Sequence, residues 1–176
     1  IYACGLSMGG QESLLLAARC QQLIAAVFAF NPVADAAAFY EDACGYEAAG
    51  LPFRDVELAI AREVGGTPAE NAEAYRRRSP VAYAAELAAA RVPTAIWWSE
   101  RDAIITRGAD RQGKRLYDEI KRCDPLAPVT EYEHTTLHGI RDFTIRERIY
   151  VHEYSDFDFA ARWLLMHRKP DSGLSG

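Results

Sequence analysis

No two of the four cysteines share a CxxC spacing. Cys4, Cys20, Cys44 and Cys123 are scattered through apolar or helical surroundings. That pattern predicts no metal site, and it favours reduced thiols in a cytoplasmic protein, although spacing alone leaves disulfides open. Charge of one sign is also scarce in runs. The 20 Lys and Arg are interspersed with 25 Asp and Glu, for a net charge of −5, which argues against a nucleic-acid partner. The one basic run, Arg76-Arg77-Arg78, reads as a solvated helix end. No apolar stretch has the length of a membrane span, and no signal-peptide pattern stands at the start. An initiator Met is missing too, and the chain opens inside an apolar segment, so residues are expected upstream and targeting is left unread. The 176 residues, 49% of them hydrophobic, can bury a core and fall within the size of one domain.

The pattern that remains is strands alternating with helices. Ile1 to Cys4 read as the end of a buried strand and Gln11 to Cys20 as a helix with Leu14, Leu15 and Ala18 on one face. Ile24 to Phe30 is continuously apolar, as a strand covered on both sides must be. Val33 to about Arg78, broken by Gly50, Pro52, Gly65-Gly66 and Pro68, reads as an excursion of several short helices. Ser79 and Pro80 fit the N-cap and first position of a helix that ends before Pro93. Thr94–Ser99 is the next strand, Glu100–Gly108 a loop, and Ala109–Arg122 a helix with Leu116 and Ile120 one turn apart. A short strand at Pro128–Glu133 and a loop at His134–Gly139 follow. A last helix is expected from Ser155, with Asp158 completing a capping-box variant and Phe157, Ala161, Leu164 and Leu165 as its apolar stripe. Lys169 to Gly176 reads as a disordered tail. The order predicts an α/β fold with a mostly parallel sheet flanked by helices.

Gly5-Leu6-Ser7-Met8-Gly9 matches G-x-S-x-G, in which a serine sits on a strained turn between strand and helix. The flanking glycines are expected to remove Cβ atoms where the backbone turns sharply. A serine hydroxyl is a weak nucleophile at neutral pH; it needs a histidine to take its proton and a carboxylate to orient that histidine. Such groups gather at the carboxyl ends of the strands in an open α/β sheet. Asp102 lies just past the strand that ends at Ser99, and His138 lies in the loop after the following strand. Asp35 and Glu100 are rival carboxylates, and His134 is a rival histidine; His152 and His167 read as surface residues. Trp97 and Trp98 alternate across their strand and read as core. Phe39, Tyr40, Tyr46 and Phe53 could line a pocket, with helix packing the simpler reading for each.

Four segments together resemble the C-terminal half of an α/β-hydrolase-fold enzyme: Gly5–Gly10, Gly65–Pro80, Trp97–Asp102 and Leu137–Gly139. Within that superfamily the chain is most similar to the prolyl-oligopeptidase and acylaminoacyl-peptidase-like group and to dienelactone-hydrolase-like esterases. The resemblance implies Ser7 as nucleophile, Asp102 as orienting acid, His138 as general base, and the Met8 backbone N–H as one oxyanion donor, the second coming from a loop this chain lacks. It implies no cofactor, and a small-molecule ester or short peptide as substrate. Residues 1–168 would be the C-terminal part of the catalytic domain and 169–176 a tail.

Three departures shape the functional expectation. Met8 stands where the peptidases usually carry an aromatic residue, which leans towards an esterase. Trp98-Ser99 replaces a frequent His-Gly, and the charged segment Arg141–Glu153 has no evident counterpart. The expected activity is cleavage of carboxylic esters through an acyl-enzyme, with a peptidase, or a catalytically silent binding module, as the alternatives. The strand at the start of the chain is also expected to form an exposed edge.

Overall fold

The computed structural model describes residues 1–46, 48, 55–102, 104–133 and 157–167. Four strands, β1 (Tyr2–Leu6), β2 (Ala26–Phe30), β3 (Thr94–Trp98) and β4 (Val129–Glu133), form one sheet in that order, each pair parallel. Parallel neighbours require crossovers, and helices supply them. Helix α1 (Met8–Arg19) joins β1 to β2, and α6 (Gly113–Cys123) joins β3 to β4. Between β2 and β3 run α2 (Ala36–Ala43), α3 (Val56–Val64), α4 (Ala72–Arg78), a 3₁₀ turn at Pro80–Tyr83 and α5 (Ala84–Ala90). Helix α7 (Phe157–Leu165) ends the described chain. This is the α/β architecture that the alternating pattern predicts.

Every residue of β2 and β3 is buried, as strands covered on both faces must be. Val27, Ala29 and Ile96 face Leu14, Leu87, Leu116 and Ile120 of α1, α5 and α6. Phe28, Phe30 and Trp97 face the other way, onto Ala160, Trp163 and Leu164 of α7. A third cluster joins the excursion to the loop after β3: Val33, Phe39, Tyr46 and Tyr75 pack with Ile105. Phe39, Tyr40 and Tyr46 thus serve helix packing, and Phe53 lies outside the described residues. The Arg76–Arg78 run closes α4, with Arg76 on Glu73 and Arg78 on Glu63, as a solvated helix end should.

Several expectations need correction. Ser79 makes no cap bond to the turn that follows it. Its buried hydroxyl instead accepts from the Ala36 N–H at 2.9 Å and donates to the Tyr75 carbonyl at 2.8 Å, because the start of α2 also has N–H groups to satisfy. Helix α6 begins at Gly113 and not at about Ala109, and the Ala109 N–H donates to the Glu100 carboxylate at 2.7 Å in the turn before it. In α7 the buried face is Ala160, Trp163 and Leu164, while Phe157 and Leu165 are 52% and 55% exposed. Trp163 turns the helix, because its indole meets Phe28 edge to face at 5.6 Å. The Ser155 cap and the Lys169–Gly176 tail lie outside the described residues.

The four cysteines are free thiols. No helix among the described residues is long and apolar enough to cross a membrane. On β1, Ala3 is buried but Tyr2 and Cys4 are exposed, so the strand is covered on one face only. Its outer edge has no strand partner among the described residues, and Ile1, Tyr2 and Leu23 beside it are exposed. An apolar edge of this kind templates pairing with another chain. The 176-residue chain alone should therefore self-associate in sedimentation velocity. Tyr2→Lys should shift it towards monomer, and an unchanged distribution would put the contact elsewhere.

Candidate active site

Ser7 joins β1 to α1 with no residue to spare, at φ 57° and ψ −120°, a conformation few non-glycine residues adopt. Gly5 makes the turn feasible. A Cβ there would lie 2.2 Å from the carbonyl carbon and oxygen of Gly9. Gly9 itself needs no such allowance, because a Cβ on it would meet nothing within 4 Å. This corrects the symmetric reading of the two motif glycines. The second close approach belongs to Gly10, whose Cβ would sit 3.2 Å from Gly5 O, Phe30 O and Pro32 Cβ.

The Ser7 backbone is anchored on three sides. Its N–H donates to Phe30 O at 2.9 Å, and its carbonyl accepts from Gln11 N at 3.0 Å and Val33 N at 3.4 Å. Met8 opens α1, and its N–H is among those that helix geometry leaves without an intrahelical acceptor. That end of the helix carries the positive pole of the dipole, which suits a developing oxyanion.

Asp102 is 5% exposed in the loop after β3. Its Oδ1 accepts from Ile104 N at 2.8 Å and Ile105 N at 2.7 Å, and its own N–H donates to Ser99 O at 3.3 Å. Between Ser7 and Asp102 lies the Asn31-Pro32 turn at the end of β2. Asn31 sits at φ 37°, a region asparagine tolerates, and its N–H donates to Trp97 O at 2.7 Å. Asn31, Pro32, Trp98, Ser99 and Asp102 line one narrow crevice that leaves no room for a water molecule. Trp97 and Trp98 are both buried, as expected, on opposite faces of the sheet.

The rival carboxylates are otherwise engaged. Asp35 caps α2, its Oδ1 accepting from Ala38 N at 3.0 Å, while its Oδ2 pairs with Arg115 at 2.9 Å. Glu100 is the exposed cap on Ala109. One residue here was not legible from sequence. Gln112 is 1% exposed; its Oε1 accepts from Ala34 N at 2.8 Å and Asp35 N at 3.0 Å, and its Nε2 donates to Asp35 O at 3.2 Å. It stitches the loop after β2 to the start of α6, a pairing that only the fold brings about.

His138, His134, His152 and the Arg141–Glu153 segment lie outside the described residues. His167 is not a bare surface residue: its ring lies tilted against Trp163 with centroids 4.1 Å apart, and Nδ1 meets Trp163 O at 2.7 Å. The described part of the site therefore brings Ser7, the Met8 N–H and Asp102 to the carboxyl end of one sheet.

Solved structures share this fold. Acylaminoacyl peptidase from Pyrococcus horikoshii superposes with a TM-score of 0.66 over 96% of this chain, at 20% identity. A Bacteroides ovatus protein provisionally assigned as a dipeptidyl aminopeptidase IV gives 0.60 over 93%, at 17% identity. MPT51 from Mycobacterium tuberculosis gives 0.51 over 75%, at 14% identity. The chain has the α/β-hydrolase fold. It spans 24%, 19% and 49% of those three chains. No protein-family model and no curated protein matches the sequence.

Within this α/β-hydrolase fold the two motif glycines should respond oppositely to a methyl group. Gly5→Ala should lower stability by about 3 kcal/mol or more, because backbone would have to move. Gly9→Ala should be neutral, or stabilising by up to about 1 kcal/mol. Thermal unfolding of both variants checks this, and equal losses would refute the asymmetry.

Proposed function

We propose that this chain is the nucleophile-bearing part of a serine hydrolase that cleaves carboxylic esters through an acyl-enzyme. The observation that carries the reading is Ser7, held at φ 57° and ψ −120° where β1 meets the N-terminus of α1. Strain of this kind costs about 1–3 kcal/mol and persists where the surroundings over-determine it, most often at functional sites.

In this reading Ser7 Oγ attacks the ester carbonyl while His138 accepts the hydroxyl proton. Asp102 orients the imidazole and stabilises the imidazolium that forms. The Met8 N–H receives the oxyanion of the tetrahedral intermediate, a donor worth about 3–4 kcal/mol of transition-state stabilisation. Collapse expels the alcohol, which takes the proton back from His138. A water activated by the same base then releases the acid and restores Ser7. The two amide bonds on Asp102 Oδ1 fit a carboxylate fixed in place.

A peptidase is the second reading, and the likeness to acylaminoacyl peptidase favours it. Met8, 57% exposed beside the nucleophile, favours the ester. In the full-length protein a fluorophosphonate should label Ser7, and p-nitrophenyl butyrate should turn over faster than aminoacyl p-nitroanilides. Ser7→Ala should abolish both label and turnover. Asp102→Asn should lower kcat by about 10⁴-fold, whereas Asp35→Asn should leave kcat nearly intact. A preference for anilides would move the protein to the peptidase reading, and an unlabelled Ser7 to a binding module.

A further inference from the structure

Tyr46 follows α2, far along the chain from Asp102, and is 3% exposed. A buried phenol needs a hydrogen-bond acceptor, and the Tyr46 hydroxyl donates to the carbonyl of Ile104, with the Thr106 side chain also in hydrogen-bond contact. The N–H of that same residue donates to Asp102 Oδ1 at 2.8 Å, and the Ile105 N–H joins it at 2.7 Å. One residue thus carries the phenol on its carbonyl and the carboxylate on its amide.

The loop is gripped at two further points by the same helix region. Ile105 packs with Phe39 and Tyr46. Arg111 pairs with Asp42 at 2.7 Å and also with Glu41. Burial pushes the Tyr46 phenol up to about 12, so it stays a donor throughout the range in which a hydrolase of this type works. With two amides on Oδ1, a shift of residues 104 and 105 would turn the carboxylate with them.

We propose that Tyr46 is a positioning residue for Asp102, fixing through Ile104 the loop that aims the carboxylate. The inference rests on Asp102 being the orienting acid of the proposed function. Tyr46 touches no reacting atom in this assignment; its effect reaches the chemistry only through Asp102.

A double-mutant cycle in the full-length protein tests it, using Tyr46→Phe, Asp102→Asn and the pair, with p-nitrophenyl butyrate as substrate. Rates are taken per active site, counted by fluorophosphonate labelling to completion, so that a misfolded fraction drops out. Tyr46→Phe should lower kcat about tenfold with KM nearly unchanged, since misplacing a catalytic group by a fraction of an ångström is costly in the chemical step. In the Asp102→Asn background the same change should have almost no further effect, because residues acting as a unit are not additive. An equal kcat loss in both backgrounds, or no loss in either, would overturn the positioning role while leaving the hydrolase reading in place. A wild-type protein that neither labels nor turns over would instead remove the hydrolase reading, and this inference with it.

Discussion

The absence of a side chain at Gly5 is the constraint on which the site geometry depends. Strand β1 can run into α1 with Ser7 alone between them only because the Gly9 carbonyl occupies the place of a Gly5 Cβ. The contorted Ser7 backbone that results is held by the sheet as well as by the helix. Ser7 N donates to Phe30 O, and Asn31 N donates to Trp97 O, so the parallel ladder continues one step past the ends of β1 and β2. Each such bond contributes about 0.5–1.5 kcal/mol net. Two or three of them are of the same order as the strain they offset. The serine is therefore presented from the hydrogen-bonded end of the sheet, at the level where β2 and β3 also end.

The acidic residues at that level are sorted by what holds each oxygen. Asp35 spends one oxygen on the α2 cap and the other on Arg115. Glu100 closes a turn at the surface. Asp102 alone combines near-complete burial with a loop built around it, from the Ser99 carbonyl before to the Ile104 and Ile105 amides after. That loop does not stand by itself. Gln112 sews its far end to the loop after β2, and the third apolar cluster seats Ile105 against the excursion. The excursion that the sequence marks only as several short helices is thus part of what supports the acid.

Legibility in the sequence followed the range of the interaction. Strands β2 and β3 were readable because burial on both faces leaves an unbroken apolar run. Ser7 was readable because its turn is made by residues within four positions of it. The buried face of α7 was misjudged because Trp163, absent from the expected stripe, meets Phe28 on a strand far away in sequence. Ser79 and Pro80 do stand at the N-cap and first position of the turn that opens there, but the Ser79 hydroxyl serves a helix forty-three residues earlier. Gln112 carried no local signal at all: a glutamine before a glycine is unremarkable until the sheet brings Ala34 and Asp35 against it.

The same reasoning accounts for Trp98, which departs from the pattern of the enzymes this chain resembles. An indole is large for a position beside Asp102, yet it is only 3% exposed. Space for it comes from two other missing Cβ atoms. One on Gly108 would fall 3.1 Å from the indole, and one on Gly113 would fall 2.8 Å from Trp98 Cβ. Dense packing of this kind forfeits contacts steeply if either side changes volume. The crevice that Trp98 shares with Asn31 and Asp102 leaves no room for a water molecule, and Trp98 Nε1 and Asn31 Oδ1 are buried in the structure without hydrogen-bond partners among the described residues. Such groups cost about 1–3 kcal/mol each. The wall beside Asp102 is thus tightly filled and polar in places.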